Sequence, residues 1–89
     1  MFGLFGFGRK ARRGRMAAFE ARAEAAYAAM YDAPSYLAKD RKDDASMWLA
    51  RAIDDAKALN LNNEVLRLTA RRDHIRAVYD RQFRYAGRR

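Results

Sequence analysis

One histidine, three aliphatic hydroxyls and eleven carboxylates are the groups of this 89-residue chain that could support acid–base, nucleophilic or metal chemistry. The histidine is His74, and the hydroxyls are Ser35, Ser46 and Thr69. A Ser–His–acid triad needs three such groups to converge, and their spacing gives no sign of it. We expect His74 to lie on a solvated helix face, so the sequence predicts no catalytic residue.

The carboxylates also lack the partners of a metal or phosphate site. Asp43–Asp44 and Asp54–Asp55 are adjacent pairs, and Glu20 and Glu24 lie one helical turn apart, but none has a histidine at ligand spacing. The chain has no cysteine, and its glycines do not precede a GK[ST] ending. We therefore expect no metal and no cofactor, and a non-enzymatic role; an enzyme that works as an oligomer is the remote alternative.

Charge is the stronger functional signal. There are 19 Lys+Arg against 11 Asp+Glu, a net +8, and no acid occurs in residues 1–15. Residues 67–89 hold eight arginines and two acids, whereas residues 16–66 are slightly acidic. Strong basicity favours an anionic partner such as nucleic acid, an anionic membrane or an acidic protein.

A basic ridge is predicted on the third helix. At 100° per residue, one group of residues clusters opposite the apolar stripe: Arg67, Arg71, His74, Arg81 and Arg88. Such a row suits contacts with the phosphates of a nucleic-acid backbone and not with the bases. We expect this ridge to bind an anionic partner.

The first fifteen residues predict a second binding element, a flexible arm. Large apolar residues alternate with glycines and precede a basic run; the members are Phe2, Leu4, Phe5, Phe7, Arg9, Lys10, Arg12, Arg13 and Arg15. Three glycines in eight residues disfavour an isolated helix. The pattern fits a membrane anchor, an arm that stacks on nucleic-acid bases, or a peptide that docks on a protein.

Helical periodicity governs the rest of the chain. Apolar residues recur at steps of three and four, predicting helices over about 16–32, 44–59 and 64–85. Pro34 ends the first helix, and Asp43 or Asp44 is expected to cap the second. The sequence of residues 35–43 fits either a loop or a short helical turn. No alternation typical of strands occurs.

The predicted fold is all-α, a small antiparallel three-helix bundle with a flexible basic arm. We expect the arm at 1–15, the bundle domain at 16–86 and a basic tail at 87–89. Neither a signal peptide nor a transmembrane segment is recognised, so the expected location is cytoplasmic or peripheral on a membrane.

The predicted function is a small binding or assembly protein. Its partner is either a protein or a nucleic-acid backbone, and a peripheral membrane protein is the alternative. The oligomeric state is open, with Met47, Leu66 and Val78 as apolar residues that could support self-association.

Overall fold

Three helices make up the part of the chain that the structure, a computed structural model, describes: residues 2–83, with side chains from Gly8 onward. Helix α1 is Phe2–Asp32, α2 is Ser35–Ala58 and α3 is Asn62–Gln82. Helix α2 packs against both α1 and α3. The predicted all-α three-helix bundle is thus confirmed.

Helix α1 begins well before the predicted boundary at residue 16. The stretch expected to be a flexible arm is helical from Phe2 and continues without a break into the bundle. Composition alone suggested otherwise because glycine lowers helix propensity. Tertiary contacts outweigh that propensity from Arg9 onward, where α1 lies along the end of α2.

Helix α2 also begins earlier than predicted. Pro34 stands at the N-cap position of α2, where proline's missing N–H removes no helical hydrogen bond. The Pro34 carbonyl accepts a hydrogen bond from the Leu37 amide at 2.8 Å. Capping by Asp43 or Asp44 was therefore a wrong prediction. The charged residues 39–44 lie inside the helix. There, Lys39 and Asp43 form an ion pair one turn apart at 2.8 Å.

A left-handed residue ends α2. Asn60 has φ 57°, its amide donates to the Lys57 carbonyl at 3.0 Å, and the Leu61 amide donates to the Ala56 carbonyl at 2.9 Å. These are the two hydrogen bonds of a Schellman motif, which satisfies the last carbonyls of a helix and reverses the chain. Helix α3 therefore starts at Asn62, two residues before the predicted position.

The core is built from the predicted stripes. The largest fully buried side chains are those of Met30, Leu49, Leu68 and Ile75. Several alanines of α1 and α2 are also fully buried, namely Ala23, Ala38, Ala45, Ala52 and Ala56. Small residues at these positions let the two helices approach closely. Val78, expected to be available for self-association, is instead buried at 4% exposure, whereas Leu66 is 69% exposed.

Candidate anion-binding surfaces

The first candidate surface, the basic ridge of α3, faces carboxylates of α1. Arg67 donates to both carboxylate oxygens of Glu20 at 2.6 and 2.9 Å, and it also binds Glu64. Arg71 likewise donates to both carboxylate oxygens of Glu24, at 2.8 and 2.7 Å. Both guanidiniums are thus engaged within the chain.

These ion pairs change the electrostatics of the ridge. Hydrogen bonds from Arg67 and Arg71 lower the pKa of Glu20 and of Glu24, respectively, so both carboxylates stay ionised. Three carboxylates, including Glu64, face two guanidiniums there. A phosphate would have to displace these partners in order to bind.

The other ridge residues lie in different surroundings. His74 is exposed and lies edge-to-face with the Tyr27 ring, with ring centroids 6.2 Å apart. Arg81 is exposed near the end of α3. Arg88 lies outside the described residues. The structure therefore does not bring the predicted set together as one row of unpaired cations within residues 8–83.

The basic residues of the expected arm divide into two sets. Arg12 and Arg15 turn towards α2 and bind Asp55, with Arg15 in two-point contact at 3.1 and 2.8 Å. Asp55 is only 4% exposed, and its ion pair raises the pKa of Arg15. Arg9 donates to the Leu59 carbonyl at 3.2 Å, where a cation suits the negative end of α2.

Lys10 and Arg13 form the second set, since both are exposed on α1 and neither bonds to α2 within residues 8–83. Together with Arg9, they line a cleft of about 250 Å³ against Leu59 and Leu61. Nothing is described of the side chains of Phe2, Leu4, Phe5 and Phe7, the apolar part of the predicted arm.

A cluster that sequence reasoning missed lies between α1 and α2. The Trp48 ring stacks on Phe19, with centroids 5.6 Å apart and planes at 24°. The guanidinium carbons of Arg22 and Arg51 stand 4.8 and 5.1 Å from the centroid of the same indole. An arginine stacked on an aromatic ring keeps its N–H edge available for an oxyanion.

Arg22 and Arg51 differ from Arg67 and Arg71 of the ridge because no carboxylate of residues 8–83 pairs with either of them. Arg15 lies seven residues before Arg22, on the same side of α1 and about 10 Å away along the helix. There, two arginines share the single carboxylate of Asp55. We name this surface, which follows the line where α1 and α2 meet, the arginine groove; it comprises Arg12, Arg15, Arg22, Trp48, Arg51 and Asp55.

A weak signal of the groove was present in the sequence. Arg51 follows Trp48 by three residues, a spacing that brings two side chains together on a helix. The position of Arg22 could not be inferred, because it depends on how α1 and α2 align. That alignment is set by pairs such as Arg15–Asp55, forty residues apart.

Three further features of the described residues bear on function. Within the described residues, no three His, Asp or Glu side chains are grouped as a metal site would require. The same part of the chain has no helix long and apolar enough to cross a membrane. Ser46 Oγ and Arg72 Nε are buried, and neither has a hydrogen-bond partner among the described residues.

No protein-family model, curated protein or solved structure matches this chain.

Proposed function

We propose that this chain is a small non-catalytic binding protein whose arginine groove docks on the phosphate backbone of a nucleic acid. The observation that carries the proposal is the pair Arg22 and Arg51, both placed over the Trp48 ring and both without a carboxylate partner in residues 8–83. Contact with the ring restrains the two guanidiniums in advance, so less side-chain entropy is lost on binding.

The composition of the groove favours nucleic acid over a protein partner. Protein interfaces depend on a buried apolar centre, whereas the indole of Trp48 is flanked by Phe19 and by two guanidiniums. Interfaces with DNA are more polar and more positively charged. Arginine is also the residue that binds phosphate oxygens at two points.

The contacts are expected with backbone and not with bases. Both guanidiniums lie against the indole, and Phe19 stacks on it as well, so a base has little of the ring on which to stack. Affinity should therefore depend strongly on salt and weakly on sequence. Each phosphate contact with a duplex contributes a log–log salt slope of about −0.9.

The test compares three versions of the full chain in a salt titration with a random duplex: the native protein, Arg22→Gln/Arg51→Gln, and the matched control Lys57→Gln/Arg76→Gln. The control removes the same charge from exposed residues outside the groove. The groove variant should lose affinity and flatten the salt slope by about two. The control should keep nearly all of that slope.

Two results would overturn the proposal. Equal losses of duplex affinity in the groove variant and in the control would mean that net charge alone attracts the duplex. Binding to poly-L-glutamate, with none to duplex or single strands, would assign the groove to an acidic protein. Circular dichroism of each variant confirms that the bundle is intact.

A further inference from the structure

The end of α1 that carries residues 2–13 combines two features that the arginine groove does not use. Phe2, Leu4, Phe5 and Phe7 are four large apolar residues without an intervening charge. A basic run starts at Arg9, and residues 1–19 contain no acid. An apolar segment followed directly by cations is the composition of an interfacial membrane-binding element.

The fold places both features at one end of the bundle. Helix α1 begins at Phe2, and Arg9 is level with the end of α2 because it donates to the Leu59 carbonyl at 3.2 Å. The backbone of α1 therefore continues for about 10 Å beyond that level, at a rise of 1.5 Å per residue. The apolar segment occupies this continuation.

The cations at the same end are available to a surface. Arg9, Lys10 and Arg13 are exposed and line the cleft against Leu59 and Leu61. None of the three is ion-paired with a carboxylate of residues 8–83. Lipid headgroups could thus approach them without first breaking an ion pair.

We propose that this end of α1 docks on an anionic lipid surface. Phe2, Leu4, Phe5 and Phe7 enter the boundary between headgroups and acyl chains, and Lys10 and Arg13 meet the anionic headgroups. Each basic residue near such a surface strengthens binding about fivefold. An arm that stacks on single-stranded bases is the competing explanation, but such an arm tracks an extended strand, whereas this backbone is helical from Phe2.

Flotation of the full chain tests the proposal with two kinds of vesicle, phosphatidylcholine alone and an equimolar mixture with phosphatidylserine. The native protein should float with the mixed vesicles and much less with the neutral ones. Lys10→Gln/Arg13→Gln should weaken binding about 25-fold. Phe2→Ser/Phe5→Ser should weaken it at least about tenfold.

The matched apolar control is Met47→Ser/Leu66→Ser, which removes two exposed apolar side chains from α2 and α3. Its flotation should equal that of the native protein. A direct reporter of insertion is Phe5→Trp combined with Trp48→Phe, which leaves one indole in the apolar segment. Its emission should move to shorter wavelength on adding mixed vesicles.

Equal flotation of the Phe2→Ser/Phe5→Ser variant and the native chain would overturn the proposal. So would loss of single-strand binding in that variant with flotation unchanged, since the segment would then be a nucleic-acid arm. The result is separable from that for the groove, because Arg22→Gln/Arg51→Gln should float normally while losing duplex affinity.

Discussion

Glu24 of α1 and Arg71 of α3 form a two-point ion pair, with nitrogen–oxygen distances of 2.8 and 2.7 Å. The same 47-residue separation joins Glu20 to Arg67 one turn earlier. These contacts show that α1 and α3 run in the same direction. They also explain why Arg67 and Arg71 are not free cations.

The two glutamates should make stability depend on pH. Hydrogen bonds from Arg67 and Arg71 lower the pKa of Glu20 and Glu24 in the folded state, so their contribution is fully present above the usual carboxyl range, near pH 4.3. It is lost as the pH falls through the lower folded values. Glu20→Gln/Glu24→Gln should lower the free energy of unfolding by about 1 kcal/mol at pH 7, since the pairs are partly exposed.

Urea denaturation at pH 7 and at pH 3 measures this effect. The difference in unfolding free energy between the variant and the native protein should be present at pH 7 and smaller at pH 3. Asp40→Asn/Asp73→Asn, which changes two exposed acids without ion pairs in residues 8–83, is the control and should show little change at pH 7. A constant difference between native and Gln variant at both pH values would contradict the assignment.

Asp55→Asn should have opposite effects on stability and on binding. The carboxylate is 4% exposed and holds Arg12 and Arg15, so its loss should cost about 1–3 kcal/mol of unfolding free energy. The two released guanidiniums should then raise duplex affinity. Thermal denaturation and the salt titration measure the two effects; an affinity that falls together with stability would argue against a phosphate role for the groove.

Asn60 provides a test of the turn between α2 and α3. Its φ of 57° is left-handed, a conformation that glycine adopts freely and alanine does not. Asn60→Ala should be less stable than Asn60→Gly by about 1 kcal/mol in chemical denaturation. At Asn63, inside α3, the order should reverse because alanine favours helix.

Trp48 should report occupancy of the groove, since it is the only tryptophan and both Arg22 and Arg51 lie against it. Adding duplex at low salt should change its fluorescence as the two guanidiniums turn towards phosphates. The change should be smaller in Arg22→Gln/Arg51→Gln. Duplex binding that leaves the Trp48 emission unaltered would place the contact elsewhere on the molecule.

Periodicity predicted the helices and most of the core, because an apolar stripe on a helix follows from the local spacing of residues in the sequence. Met16, Ala23 and Met30 are buried as their spacing on α1 indicates. The helix starts were less predictable. Pro34, and not an acidic residue, stands at the N-cap of α2. Helix α1 is longer than its glycine content predicts, and Arg9, Arg12 and Arg15 in its early part bond to α2.

The sequence by itself determined that this chain is basic, helical and amphipathic, since these properties follow from composition and from spacings of three and four residues. Only the tertiary structure decided which cations are engaged. Arg67 and Arg71 meet carboxylates 47 residues away, whereas Arg22 meets the ring of Trp48. Such pairings depend on how one helix aligns with another, and the packing of the whole core fixes that alignment.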